Sequence, residues 1–505
     1  MTTGQPAIQW RFWSIFASLR LLSLIASIDV SIVTTALPTI TREIGGELQY
    51  VWIANSYPLA STVPQPLYAQ ISNIVGRRNP LLVAVSLFAM GSGIAGGATN
   101  PAMLIAGRVV QGLGTGGIYV LSAIVISDLV PLRQRSQYVS IMFLMATVGG
   151  AIGPLVGVAL VLIFFALKEN PTDGSIKTAL SRVDLLGNAI LVPSILAILL
   201  GAVLGGVVYP WSSYPVIVPL VLGVLGWALF HVHQAFCKEP SIPPRLFRNR
   251  STVSAYGMSF IAYLLTQVSS YFLPVYFMAV ANASPIRAGV DCLIYSVVVP
   301  VSAVFAGGFV ARTGVYRSLF WSRFALQAVG YGLLSTLDGS YSQARFFGFQ
   351  ALAACGTGLV IPALLPAILS PLPESDVASA NGAYSFLRSF AFVWGITIAS
   401  VIFNGQFKVH GGQISDETVR VKLVDGAAYT FASGGYIFQL PQSTRNQVIG
   451  VYSKALATVW QAAIAFACVG FLLGLIVKHV PLRKTLHETN EEPENISVTK
   501  QTQDV

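Results

Sequence analysis

The chain has 505 residues, of which 54% are hydrophobic and only 10% are charged, whereas about 25% of residues are charged in an average soluble domain. Apolar runs of about 20 residues recur along almost the whole chain, and each is long enough to cross a hydrocarbon core of roughly 30 Å. A water-soluble globule is therefore excluded, and the sequence predicts an all-α polytopic membrane protein.

Thirteen apolar segments are predicted to span the membrane as helices. They far exceed the roughly ten residues of a membrane β-strand and lack the alternation of such strands. The first is also too long to be the apolar core of a signal peptide. The predicted spans are residues 13–37, 50–72, 81–98, 103–129, 138–167, 185–208, 213–233, 252–280, 288–310, 319–337, 345–369, 381–404 and 456–477.

Basic residues lie mainly in the short loops between apolar runs. Lysine and arginine number 30 against 20 aspartates and glutamates, which gives a net charge of +10. Such an excess is also found in nucleic-acid-binding proteins, but here it is concentrated in alternate loops, as the positive-inside rule describes for cytosolic loops. We therefore expect the lipid bilayer, and no nucleic acid, as a partner. The 4 cysteines are scattered without a Cys-x-x-Cys motif or a Cys–His pairing, so no metal site is expected.

Residues 138–167 do not fit this charge pattern. Basic residues flank the segment on both sides, so both ends are predicted to be cytosolic, which requires an even number of crossings. Two crossings need roughly 34 to 40 residues, whereas a single helix of this length would extend some 45 Å. A single tilted helix, a re-entrant pair and the loss of a piece that related proteins carry stay open, and the loss is favoured.

Charged side chains inside the apolar runs are candidates for function. Asp29 lies in the first run and Arg108 in the fourth, with Gln111 one turn further on the same helix face. A charge at the centre of a membrane helix costs about 3 kcal/mol on insertion scales, so it normally faces the bundle interior. Arg388 lies in a later span. For both arginines, a side chain that reaches to the interface is the alternative interpretation.

Two glycine-containing segments also stand out. Between the second and third spans, Asn73 is followed by Gly76, Arg77 and Arg78, either a tight turn with positively charged anchors or a functional loop. In the fifth apolar run, glycines recur every fourth residue and a proline removes one backbone hydrogen bond, which predicts a smooth, kinked helix. The residues of that second segment are Gly149, Gly153, Pro154 and Gly157.

Together these motifs resemble those of the major facilitator superfamily, specifically its fourteen-helix drug:proton antiporters, which include fungal multidrug and toxin efflux pumps. The similarity covers about residues 20–480. It implies two six-helix halves joined by two linker helices, with the sixth helix truncated here. The N-terminal half then occupies residues 1–170, the linker 171–250 and the C-terminal half 251–480. That half includes an outer loop at 405–455, and residues 481–505 are predicted to be a disordered cytosolic tail.

The resemblance implies roles for individual residues. Arg108 and Gln111 match a motif associated with proton coupling, and Asp29 is the protonatable candidate beside them. Arg388 is a candidate for the cavity wall. The loop motif Asn73, Gly76, Arg77 and Arg78 implies a cytosolic gating loop, in which Asn73 replaces a charged aspartate by a neutral hydrogen-bonding group. The motif Gly149, Gly153, Pro154 and Gly157 implies the hinge of an antiporter.

The function implied is proton-driven efflux of hydrophobic small molecules, such as drugs or a fungal secondary metabolite or toxin. The proton gradient would supply the energy with no cofactor, and no phosphate-binding loop of the Gly-x-x-x-x-Gly-Lys-Ser/Thr type is found. Uptake of a nutrient or iron chelate, and a non-transporting sensor or inactive shortened isoform, are the alternatives. No enzyme is expected, because no histidines cluster with acidic residues within the spans. We expect a monomer in the plasma membrane.

Overall fold

The computed structural model is almost entirely helical. It describes residues 14–19, 21–22, 26, 44, 50–132, 134–138, 140, 182–205, 209–337, 343–424, 428–433, 436–478 and 480–482. Within these residues no β-strand is formed, and nine helices are long and apolar enough to cross a membrane. The prediction of an all-α polytopic membrane protein is therefore confirmed.

Two of the predicted spans fall largely outside the described residues. These are 13–37, which contains Asp29, and 138–167, which contains the motif from Gly149 to Gly157. Their predicted roles stay predictions.

The N-terminal half is described over four helices. They are α1 (Tyr50–Thr62), α2 (Gln65–Val75), α3 (Arg78–Gly96) and α4 (Pro101–Leu129). The predicted single span 50–72 is thus two helices, because Pro64 and Pro66 lack the N–H groups that would continue the hydrogen-bond ladder.

Two linker helices follow, α5 (Leu185–Leu204) and α6 (Tyr214–Phe236). They pack closely along glycines: a Cβ on Gly223 of α6 would lie 2.7 Å from the carbonyl oxygen of Ser194 in α5. The other face of α6 exposes a row of valines and leucines, as expected of a helix that faces lipid.

Six long helices are formed by the described residues of the C-terminal half. Five of them pass the length and hydropathy criteria for a span, and α9, which carries Arg317 and Arg323, does not. The helices are α7 (Arg250–Ala279), α8 (Pro285–Thr313), α9 (Arg317–Ser335), α10 (Gln343–Leu369), α11 (Val377–His410) and, after three short helices, α15 (Gln442–Ile476).

The predicted outer loop at 405–455 is much more helical than its polar composition suggested. Helix α11 continues through His410 and α15 already begins at Gln442, well before the predicted start at 456. Between them lie the short helices α12 (Glu417–Lys422), α13 (Ala428–Ser433) and α14 (Tyr436–Gln439). The Tyr452 hydroxyl donates a hydrogen bond of 2.5 Å to the carbonyl of Ala428, which fixes α13 against α15.

The two halves meet where α2 of the N-terminal half packs against α11 of the C-terminal half. Gln65 Nε2 donates a hydrogen bond of 2.8 Å to Ser389 Oγ. A Cβ on Gly382 would lie only 2.5 Å from the Cβ of Ala69. Helix α2 ends, and α11 begins, on the side that the basic loops assign to the cytosol. The halves are therefore in contact at the cytosolic side of these two helices.

We predict that Gly382→Val opens this contact, because its side chain cannot fit against Ala69. Gly405→Val, in the same helix with nothing within 4 Å, is the matched control. In a background without native cysteines, Ser389→Cys is labelled with a membrane-impermeant maleimide from the cytosolic side. Labelling should be faster by about tenfold with Gly382→Val, which corresponds to about 1.4 kcal/mol. Equal rates in the two glycine variants would contradict the proposed contact.

Candidate functional site

Arg108 lies deep within the N-terminal half, on the side of α4 that faces α1 and α3. Its residue is 3% exposed. Glycines on α4 allow the three helices to approach closely: a Cβ on Gly112 would lie 2.6 Å from the carbonyl oxygen of Tyr57, and one on Gly114 would lie 2.4 Å from the backbone nitrogen of Phe88. The glycine-rich sequence after Arg108 therefore serves close helix packing.

A short polar chain runs from α1 through α4 to α3. The Arg108 guanidinium lies over the Tyr57 ring, 4.2 Å from its centroid. Arg108 Nη1 donates a hydrogen bond of 2.9 Å to Gln111 Oε1, and Gln111 Nε2 donates one of 2.8 Å to Ser92 Oγ. The structure thus brings the predicted pair Arg108 and Gln111 together. Tyr57 and Ser92 are partners that sequence reasoning missed, because neither belongs to a recognisable motif.

This chain also contacts the first helix. The Tyr57 hydroxyl donates a long hydrogen bond of 3.5 Å to the carbonyl oxygen of Ala26. Ala26 precedes Asp29 by three positions in the sequence, and Asp29 itself lies outside the described residues. The predicted coupling between Asp29 and Arg108 therefore stays a prediction.

The predicted gating loop forms a turn held by an ion pair. Gly76 has φ of 92°, a conformation that favours glycine. Arg77 Nε lies 2.9 Å from Asp128 Oδ2 at the end of α4, and Arg77 Nη1 donates to Asn73 Oδ1 at 3.3 Å and to the carbonyl of Ser72. Asn73 thus accepts a hydrogen bond from the charged guanidinium through its neutral amide oxygen, and Asp128 supplies the negative charge. The sequence signal for Asp128 was an acidic residue near the end of the fourth apolar run.

The linker is joined to the N-terminal half by the side chain of Gln70 in α2. Its Nε2 donates to the carbonyl of Glu239 at 2.8 Å, and its Oε1 accepts hydrogen bonds from Ser241 Oγ at 2.7 Å and from the backbone N–H of Asp184 at 3.2 Å. These groups are buried or nearly so, so a satisfied network here holds α2 against the linker in a defined orientation.

The linker is joined to the C-terminal half by Arg245. Its Nε donates to both carboxylate oxygens of Asp376 at 3.0 Å, and its Nη2 donates to Oδ1 at 2.7 Å. Asp376 is buried and directly precedes α11. The linker therefore contacts both halves on their cytosolic side, close to where α2 and α11 meet.

Three side chains of the linker form the group closest to a metal site in the described part of the chain. The ligand atoms of Asp184, His233 and Cys237 lie within 4.8 Å of one another. Burial would raise the pKa of Asp184, but hydrogen bonds from His233, Gln234 and the N–H of Gly187 outweigh it and lower that pKa. Because its oxygens already accept these bonds, we interpret Asp184 as the N-cap of α5.

Arg388 lies between the two halves, and its predicted role in a cavity wall stays a prediction. Its guanidinium carbon is 5.2 Å from the ring centroid of Tyr119 in α4 and 5.9 Å from that of Tyr263 in α7. The adjacent residue in α11, Ser389, accepts the hydrogen bond from Gln65. The side chain is half-buried.

Comparisons with known proteins identify the family. The family described as the Major Facilitator Superfamily matches residues 19–167. The chain is 47% identical to the MFS efflux transporter aclA of Aspergillus oryzae, over 94% of this chain and 91% of that relative. It is 41% identical to the efflux pump FUS6 of Gibberella moniliformis, over 94% and 89%. This chain belongs to the major facilitator superfamily. The recognition of this family from sequence motifs is confirmed, and the protein is an integral membrane protein with several spans.

Further comparisons agree with this assignment. A transporter of the acurin A biosynthesis cluster of Aspergillus aculeatus is 38% identical over 94% of this chain and 91% of its own length. Among solved structures, the human organic anion transporter MFSD10 has a TM-score of 0.59 at 15% identity and covers 93% of this chain and 100% of its own. That likeness shows the fold alone. The relatives' names agree with the efflux function expected from the sequence.

We predict that Arg108→Lys lowers transport at least tenfold. Lysine keeps the charge but loses the planar fork that stacks on Tyr57 and donates to Gln111. The measurement is uptake of a fluorescent substrate into everted vesicles at matched protein levels. Arg248→Lys, at an exposed residue, should transport normally. Undiminished transport by Arg108→Lys would contradict a role for the guanidinium geometry.

Proposed function

We propose that this protein exports hydrophobic small molecules, such as drugs or a fungal secondary metabolite or toxin, in exchange for protons. The observation that carries the coupling is the buried chain of Tyr57, Arg108, Gln111 and Ser92. An arginine so deeply buried in a membrane helix is rarely explained by packing alone. The direction of transport is supported by relatives that are named efflux transporters.

Alternating access accounts for the arrangement of the two halves. The contact of α2 with α11 closes the cytosolic side between these helices. Opening it would separate Gln65 from Ser389 while the linker stays attached through Gln70 and Arg245. We propose that the linker keeps the two halves attached to each other while they rock about a central site.

Proton coupling is proposed to act through Asp29 and Arg108. A neutral aspartic acid and a charged arginine interact less strongly than an ionised pair. Protonation of Asp29 would therefore change the relative free energies of the outward-open and inward-open conformations. Asp29 would carry the proton, Arg108 would pair with the carboxylate or relay the proton, and Gln111 would orient the guanidinium. No cofactor is required in this scheme. We propose a monomer in the plasma membrane, where export clears the cell.

The test uses everted membrane vesicles with an acidic interior. Rhodamine 6G, Nile red and fluorescein serve as cationic, neutral and anionic lipophilic probes. We expect at least one to accumulate in a manner that a protonophore abolishes. Asp29→Asn should reduce this uptake more than tenfold, because the site no longer ionises. Glu417→Gln, at an exposed external residue, should leave it unchanged. Normal uptake by Asp29→Asn would contradict the proton assignment.

An inactive shortened isoform is the second candidate, and one observation favours it. The alignment with the Aspergillus oryzae relative extends over 500 residues but covers only 94% of this chain of 505. It therefore contains positions that only the relative occupies, which supports an internal deletion. Sequencing the native transcript across the codons for Gly149 to Arg182 decides between the two. A longer message would favour export by the longer form, and the short message would favour the inactive isoform.

A further inference from the structure

Arg388 lies within the apolar part of α11, inside the bundle. The predicted span that contains it begins at residue 381, and a rise of 1.5 Å per residue places Arg388 about 10 Å further along the axis. This is about a third of the way across a hydrocarbon core of about 30 Å. Its guanidinium is flanked by Tyr119 of one half and Tyr263 of the other. The charge is therefore located between the halves.

No carboxylate of the described residues neutralises this charge. The ion pairs formed there use other basic residues, and none includes Arg388. Across the same residues, no protein acceptor receives a hydrogen bond from its guanidinium, whose contacts are the faces of two aromatic rings. A cation in a membrane protein that lacks an anionic partner is costly, so this half-buried guanidinium is suited to bind a further, negatively charged ligand.

A second arginine adds to the positive charge. Arg323 in α9 is 0% exposed. Its Nε donates to Gln327 Oε1 at 3.1 Å and its Nη2 to the carbonyl of Ala262 at 3.3 Å, while Nη1 has no hydrogen-bond partner among the described residues. No described carboxylate pairs with it either. The C-terminal half therefore contains two arginines whose positive charge no described carboxylate compensates.

A pair of tyrosines lies near both arginines. The hydroxyl oxygens of Tyr263 and Tyr384 are 2.7 Å apart. The Tyr263 ring centroid is 5.9 Å from the guanidinium carbon of Arg388, and Arg323 bonds the carbonyl of Ala262, the residue before Tyr263. In this pair one hydroxyl donates to the other, so the accepting hydroxyl keeps its own hydrogen. That hydrogen has no acceptor in the described part of the chain. The pair thus offers a neutral donor next to two cations.

We propose that Arg388, with the Tyr263–Tyr384 pair, binds the anionic oxygen of the transported molecule. This inference rests on the proposed function and names its substrate class, a lipophilic organic acid with a carboxylate or an ionised enol or phenol. The arginine supplies charge-assisted hydrogen bonds and the free tyrosine hydroxyl supplies a neutral one. Arg323, which bonds the carbonyl of Ala262 next to Tyr263, adds to the positive potential.

Aromatic side chains near Arg388 can contact the hydrophobic part of such an acid. The Tyr263 ring packs edge-to-face on Phe392 at 5.6 Å, and Phe392 lies four residues after Arg388, on the same face of α11. Aromatic side chains of this kind provide a large apolar contact area at a small cost in conformational entropy. The class is thus an acid with an aromatic or otherwise hydrophobic frame.

The experiment measures binding of matched acids and amides to the purified full chain in detergent by calorimetry at pH 7.5. The probes are the carboxylates of naphthalene, biphenyl and anthracene and the corresponding primary amides, which keep shape and lose charge. We expect the acids to bind about 10- to 100-fold more tightly than the amides, the range for one charge-assisted hydrogen bond. Equal binding within all three pairs, or no binding of any acid, overturns the proposal.

Variants test which side chains cause the tighter binding of acids. Arg388→Gln should remove the preference for acids and leave the amides unchanged, and Arg388→Lys should keep part of it. Tyr384→Phe should weaken the acids by about five- to tenfold, the range for one neutral hydrogen bond. The exposed Arg248→Gln is the matched control and should bind like the unmodified chain. An acid preference that survives both Arg388→Gln and Tyr384→Phe overturns the proposal, and Tyr384→Phe alone decides if Arg388→Gln does not fold.

The binding experiment and the export test can fail independently of each other. If the acids bind selectively but no probe accumulates with the pH gradient, proton-driven export is wrong while the anion site stands. If Nile red is exported by the pH gradient but acids and amides bind equally, export stands and the anion site is wrong.

Discussion

The cost of a charge inside a membrane protein governs the organisation of this chain. Each buried ionic group must be satisfied within the bundle, since the hydrocarbon offers no water. Arg108 lies over an aromatic ring and donates a hydrogen bond to a glutamine. Asp376 accepts hydrogen bonds from the guanidinium of Arg245. Arg323 likewise meets an aromatic face and a glutamine, whereas among the described residues Arg388 contacts only the faces of two tyrosine rings. The same physical constraint therefore explains both the packing of the halves and the proposed affinity for an anion.

The contacts between the halves converge on the cytosolic side. Gln65 and Ser389 join α2 to α11 directly, and the linker bonds α2 through Gln70 and the start of α11 through Arg245. A linker that touches both moving parts restricts how they separate. The ion pair of Arg77 with Asp128 lies nearby and is partly exposed, so it contributes at most about 1 kcal/mol to stability. Its main effect is to hold the loop between α2 and α3 against the end of α4.

Composition and periodicity predicted most of this fold because membrane helices need long apolar segments. The number and order of the helices in the described residues follow that pattern. The departures have local causes. Pro64 and Pro66 divide one predicted span into two helices. The stretch at 405–455 looked like a loop because it is polar, yet helices outside the hydrocarbon need no apolar run, and α15 extends beyond the membrane from Gln442.

By itself the sequence determined the membrane class, the sides of the loops and the candidates Arg108, Gln111 and Arg388, since charges and glycines at unusual places can be recognised in one dimension. Only the tertiary structure decided their partners. Asp128 meets Arg77 across 51 positions of the chain, and Tyr263 meets Tyr384 across 121. Such pairs depend on how helices pack, and helix packing is set by the shapes of many side chains together, which no single motif encodes.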